Sequence, residues 1–162
     1  MENKRILVIG GSGYIGKEIV HKLLSYKYEI TILSRNPEVN HLKLLKGSVL
    51  DKSFLLKNVK NFDLIICLAS VIRSIKKSKY KENIIGIRNL IEVMEKNHLQ
   101  KLIYFSTQNV LIEKTGEYGN SKKECEKIVT KSGLNYVIIR PNYVYGIDKE
   151  NYNISNGMKS SS

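Results

Sequence analysis

Tryptophan is absent from this 162-residue chain, and proline and cysteine occur only twice each. Two cysteines, Cys67 and Cys125, are too few for a disulfide framework. His21, His41 and His98 lack ligand spacing, so no metal site is expected. Missing too is any apolar run near the roughly 20 residues that span a bilayer. Residues Met1–Arg5 lead into a short apolar segment and then glycines, without the longer apolar stretch and cleavage site of a signal peptide. A cytoplasmic location with reduced thiols is the expectation. Acidic residues are scarce, 15 against 27 Lys+Arg, for a net charge of +12. A basic surface attracts nucleic acid, acidic lipid or phosphorylated small molecules. Here the lysines are spread through every helical stretch, with no arginine-rich arm or aromatic-interleaved strand. Drift in an AT-rich coding sequence, which also enriches Ile, Asn and Tyr, is the leading reading of that charge. Steering of an anionic substrate comes second. Neither a nucleic acid nor a membrane is expected as a partner.

What is present is an alternation of short β-branched runs with helical periodicity, in a length that suits one core. Strands are expected at 4–9, 28–33, 42–46, 62–68, 101–105 and 135–139. Helices are expected at 14–25, with Ile15, Ile19, Leu23 and Leu24 inward, and at 52–57, behind Asp51 as N-cap. Two more should cover 80–97, with Ile84, Ile87, Leu90, Ile91 and Met94 inward, and 118–131. Strands that alternate with helices of this length imply βαβ units, hence an α/β fold with a Rossmann-type, doubly wound parallel sheet flanked by helices. The pattern fails from Asp148 onward, which divides the chain into a domain over 1–147 and a disordered tail, or the start of a further domain, over 148–162.

Three clusters carry chemistry. Gly10–Gly11–Ser12–Gly13–Tyr14–Ile15–Gly16 joins the first strand to the first helix. A dinucleotide diphosphate needs main-chain N–H groups and a helix N-terminus facing it, with no side chain between. Gly10 suits the tight turn, Gly13 the approach of main chain to phosphate, and Gly16 close packing of helix and strand. At the end of the second strand, where an acidic residue would hold the adenosine ribose of NAD, stand Ser34 and Arg35, followed by Asn36–Pro37. A hydroxyl and a guanidinium suit a 2′-phosphate, so NADP is expected over NAD. Finally, Tyr118 and Lys122 are four residues apart on one helix face, where a cation would favour the phenolate of a general base. Upstream, Ser106 and Thr107 end a strand and face the crevice of such sheets.

With these elements in this order, the chain resembles the short-chain dehydrogenase/reductase superfamily, and within it the extended branch of sugar-nucleotide epimerases and dehydratases. The supporting residues are Val8–Gly16, Leu68–Ala69–Ser70, Asn83 to Leu90 (similar to N-x-x-G-x-x-N-L), Phe105–Ser106–Thr107, Tyr118 with Lys122, and Arg140 to Gly146 (similar to R-P-x-x-V-Y-G). The resemblance implies Tyr118 as general acid/base and Lys122 as holder of the nicotinamide ribose that also keeps Tyr118 acidic. It implies Thr107 as hydrogen-bond partner of the reacting oxygen, with Ser106 beside it. Leu68, Ala69 and Ser70 would line the cofactor cleft, Asn83 would support it, and Pro141 and Asn142 would flank the nicotinamide.

The chain also departs from the branch. Ser48, followed by Val49, stands where an acidic residue commonly meets the adenine, and Val110–Leu111–Ile112 replaces the usual V-Y-G. Extended members continue into a substrate domain, whereas this chain ends 16 residues after Gly146. Two explanations stay open, a shortened form of a longer protein and a short relative built on the dinucleotide domain alone. Either would leave apolar surface exposed and favour self-association. The expected activity is NAD(P)-dependent oxidoreduction, epimerisation or dehydration of a sugar-like substrate, with pairing of helices 80–97 and 118–131 suggesting a homodimer. The alternative is a non-catalytic NADP-binding module, a redox sensor or scaffold subunit.

Overall fold

The computed structural model describes residues 4–36, 42–72 and 74–145. Pro37, His41, Gly146 and the tail over 148–162 lie outside the described residues. Six strands, β1 (Arg5–Ile9), β2 (Glu29–Ser34), β3 (Lys43–Lys46), β4 (Leu64–Cys67), β5 (Lys101–Phe105) and β6 (Asn135–Ile139), form one sheet in the order β3-β2-β1-β4-β5-β6. Every pairing is parallel. The chain winds outward from β1 through β2 to β3, then returns to lay β4 against the other side of β1. That reversal opens a crevice beyond the carboxyl ends of β1 and β4, where ligands of such sheets bind.

Parallel strands need helices on their faces, and the central strands read as unbroken apolar runs for that reason. Ile6, Val8, Ile30, Ile32 and Ile66 meet α1 (Tyr14–Ser25) on one face. Leu7, Ile9, Leu33, Ile65 and Leu102 meet α2 (Lys52–Asn58), α3 (Lys81–Lys96) and α4 (Glu117–Thr130) on the other. Asp51 caps α2 by accepting from the Phe54 amide at 2.9 Å. On α3 the buried apolar side chains are Ile87, Leu90, Ile91, Val93 and Met94, with Ile84 partly buried. On α1, Ile19 and Leu23 pack against the core as expected, but Val20 is the fully buried apolar side chain and Leu24 is 41% exposed, which corrects the expected stripe. The 3.6-residue stripe alone cannot say where a helix leans, and α1 rests on the sheet nearer its Gly16–Val20 edge.

Cover is uneven across the sheet. The edge strand β6 carries Val137 (56% exposed) and Tyr136 (39%), and the residues behind it, Tyr143 to Tyr145, are also exposed. The opposite edge, β3, begins and ends in lysine, and Lys43 pairs with Glu29 on β2. Charged edge strands resist pairing with other chains; an apolar edge does not.

Candidate active site

The first turn of the crevice is set by glycine. Gly10 sits at φ +83°, a region that L side chains avoid, and its amide donates to the Leu33 carbonyl at 2.9 Å, so the turn is tied to β2. A Cβ on Gly16 would lie 2.3 Å from the Gly10 carbonyl oxygen and 2.7 Å from the Gly11 Cα. Helix α1 can therefore start this close to the turn only without a side chain there. No side chain caps α1, whose N-cap is Gly13. The N-cap glycine thus places no side chain of its own between the start of α1 and the crevice. Gly11 plays another part: its Cα faces Ile32 and Val8 in the core, beneath the cleft and outside its lining.

These loops enclose a cleft of about 550 Å³, within the size range of small-molecule sites. Its lining holds Gly10, Ser12, Gly13, Tyr14, Ile15 and Gly16 from the first turn. Ser34 and Arg35 join them from β2, and Ser48 and Val49 from beyond β3. Ser12 and Ser34 share a hydroxyl–hydroxyl hydrogen bond of 2.7 Å that ties the glycine turn to the end of β2. Arg35 beside them is exposed. A Cβ on Gly86 of α3 would strike Val49 at 2.6 Å, so this glycine lets the helix press Val49 into place.

Farther along, the cleft wall is made of Leu68, Ala69 and Ser70 after β4, Ser106 after β5, Tyr118 and Lys122 of α4, and Pro141 after β6. Asn83, buried in α3, organises this end. It accepts from the Val71 amide at 2.6 Å and from the Ser70 hydroxyl at 3.3 Å. Its amide group donates to the Val71 carbonyl at 3.1 Å and to the Ser121 hydroxyl at 3.0 Å. Ser121 in turn donates to the Tyr118 carbonyl at 2.7 Å. One side chain thus locks the loop after β4, helix α3 and the first turn of α4 together. Thr107 stands outside the lining but accepts from the Asn109 amide, capping a single 3-10 turn over Gln108–Leu111 that the sequence reading lacked.

Burial pushes the Tyr118 phenol up from its ordinary value, and hydrogen bonding with Ser70 and Thr107 draws it part of the way back. Lys122 is 1% exposed. Its ammonium donates to the Phe105 carbonyl at 2.6 Å and lies 4.4 Å from the centre of the Tyr104 ring. In this state the influences that lower Tyr118 come from the two hydroxyls. Burial drives Lys122 below its ordinary value, opposed by the nearby Cys125, Cys67 and Glu126. Cys67 and Cys125 are buried free thiols, and burial raises Cys67 to about 11, so neither is a ready nucleophile. Arg140 donates to Glu126 through Nε at 3.0 Å and Nη2 at 2.7 Å, clipping the exit of β6, and with it Pro141, to α4. Sequence reasoning passed over Glu126 and Tyr104, since a lone Glu on a helix or an aromatic in a strand carries no signal without its partner.

A dinucleotide fits this cleft on two counts. At the first turn, Gly10 and Gly16 pack the start of α1 against the turn, and Gly13 at the N-cap lines the cleft without a side chain, which leaves main chain to face a diphosphate. At the other end, Ser106 lines the cleft with a buried hydroxyl that has no hydrogen-bond partner among the described residues, although it lies near enough to Glu126 to influence its carboxyl. Buried hydroxyls are seldom left unpaired.

Comparison with known proteins agrees with the geometry. A family model described as NAD(P)H-binding matches residues 10–161. The chain is 30% identical over 150 residues to an uncharacterized membrane protein of Methanocaldococcus jannaschii, covering 82% of this chain and 44% of that protein. It is 29% identical over 174 aligned positions to a putative UDP-glucose 4-epimerase of the same organism, covering 87% and 56%. The solved structure of UDP-N-acetylglucosamine 4-epimerase from Bacillus cereus is similar in fold, with a TM-score of 0.79 at 24% identity, over 95% of this chain and 58% of that one. The chain therefore spans about half the length of the relatives it matches. No helix among the described residues is long and apolar enough to cross a membrane.

Proposed function

Because the chain belongs to the NAD(P)H-binding family, and within it to the extended branch of the short-chain dehydrogenase/reductase superfamily, we propose that it binds NADP in this cleft and serves redox chemistry on a sugar-like, nucleotide-linked substrate. The observation that carries the proposal is Tyr118 in the wall of the cleft with Ser70, one helical turn from Lys122 and near enough to Thr107 for its hydroxyl to draw the phenol down. Relatives named as sugar epimerases support the substrate class. Residues 1–147 would form the dinucleotide domain.

The first turn of α1 would hold the diphosphate through main-chain donors, and Ser34 with Arg35 the 2′-phosphate. When bound, the nicotinamide supplies the hydride acceptor or donor. Tyr118 would move the proton of a substrate hydroxyl, while Ser70 and Thr107 stabilise its ionised form by hydrogen bonding. Lys122 would hold the ribose hydroxyls, and its charge would favour the phenolate once the ammonium faces them. Ser106 would present its unpaired hydroxyl to the nicotinamide end.

The test is a titration of the chain with NADPH and NADH, followed by a panel of UDP- and dTDP-hexoses with nicotinamide absorbance as readout. In Tyr118→Phe, turnover should fall by about a thousandfold while NADPH affinity changes by less than about twofold. A second reading, the non-catalytic NADP-binding module, draws support from the raised Tyr118 phenol and from the engagement of Lys122 with Phe105. Cofactor binding without turnover on any hexose of the panel would favour it.

A further inference from the structure

Lys122 is nearly inaccessible to water, yet no carboxylate stands within ion-pair distance of its ammonium among the described residues. A buried ammonium without a counter-charge should lose its proton or leave the interior. What meets it instead is the Phe105 carbonyl on one side and the face of the Tyr104 ring on the other. We infer that Tyr104 is a positioning residue, whose ring face seats the Lys122 ammonium at the floor of the cleft.

Tyr104 is suited to that role by its own restraint. It is 2% exposed and lies in register with Cys67 of β4, and its hydroxyl lies near enough to the Cys125 thiol of α4 for each to influence the other. Cys125 follows Lys122 by three positions on α4, so one turn of helix places a thiol near the ring's hydroxyl and the ammonium over its face. The negative face of an aromatic ring attracts a cation more strongly when water is excluded. Cys67, Cys125, Tyr118 and Glu126 are the other titratable groups around this pair. Tyrosine, unlike an aliphatic residue of β5, therefore offers Lys122 both packing and partial negative charge. A lysine seated there is aimed at one place before any ligand arrives, which limits the freedom lost on binding.

The geometric half stands without the cofactor; its consequence for binding rests on the reading of Lys122 as a ribose-holding residue. The experiment therefore has two readouts. In the cofactor-free chain with 13C-labelled lysine, the Lys122 ε protons should show the upfield ring-current shift of a group above an aromatic face, kept in Tyr104→Phe and lost in Tyr104→Leu. NADPH affinity should then fall by about fivefold or more in Tyr104→Leu and stay within about twofold in Tyr104→Phe. An unshifted Lys122 signal in the wild type overturns the seating, even if Tyr104→Leu does not fold. Equal NADPH affinity in the two variants overturns the positioning role. A wild-type chain that shows the ring-current shift but binds no NADPH sinks the functional reading above and leaves the seating intact.

Discussion

At the β1 end of the cleft a ligand would meet main chain, whereas at the β5–α4 end it would meet side chains. The Gly10–Gly16 turn is shaped by what is missing: no Cβ at Gly16, a positive φ at Gly10, no side-chain cap on α1. Few partners are needed to build it, and the whole is written in seven consecutive residues. The Tyr118 end draws on β4, α3, β5, α4 and β6 at once, through Asn83, Ser121, Lys122, Tyr104 and the Glu126–Arg140 pair. A main-chain site should therefore fail through steric intrusion, and a side-chain site through the loss of one buried partner.

The largest effect should come from forcing a side chain into the main-chain end. Gly16→Ala places its Cβ against the Gly10 carbonyl, and we expect a loss of about 3 kcal/mol or more in urea unfolding, with NADPH binding abolished. Wild-type stability in that variant would break the comparison. Next comes Asn83→Leu, which strands the Val71 amide and carbonyl and the Ser121 hydroxyl and should cost about 3 kcal/mol. Ser121→Ala removes one leg of the same network and should cost only about 1 kcal/mol. If the two variants cost the same, Asn83 is not the hub. Arg35→Ala should leave stability unchanged but lower NADPH affinity about tenfold, with NADH affinity unaffected. An equal drop for both cofactors would show that Arg35 does not read the 2′-phosphate.

The smallest effect is expected at the Glu126–Arg140 clip, where Glu126→Gln should cost about 1 kcal/mol at neutral pH. Burial opposes the charge on Glu126, but the hydrogen bonds and charge of Arg140, with the nearby Ser106 hydroxyl, outweigh that and hold the carboxyl below its ordinary range. A lowered folded value means that the stabilisation is complete above the ordinary glutamate range and is lost as pH falls through the folded value. The wild type should thus lose its advantage over Glu126→Gln on acidification; parallel stability curves would show that the pair contributes nothing through its charge.

The glycine turn, the six strands and the order of the helices were legible because each depends on residues adjacent in sequence. Asp51 is such a case, since its cap acts on an amide three residues away. Leu24 was misplaced because amphipathic spacing gives a stripe but not the line along which the helix rests. That a Cβ on Gly11 would point at Ile32 and Val8, beneath the cleft, was not legible, since those residues belong to two different strands. Thr107 and the 3-10 turn that it caps were only half legible, since four residues are too few to show a period.

By itself, the sequence determined a doubly wound α/β domain with a glycine-rich turn at its first crossover and a tyrosine and lysine on one helix face. Periodicity, glycine spacing and strand–helix alternation are local properties, and they survive without coordinates. Only the tertiary structure decided that Asn83 joins three elements, that the Lys122 ammonium rests on Tyr104, and that Ser106 keeps a buried hydroxyl without a partner among the described residues. Those facts depend on groups far apart in sequence and on the removal of water between them. Exclusion of water is what turns a carbonyl, a ring face and a hydroxyl into determinants of charge, and no sequence pattern reports it.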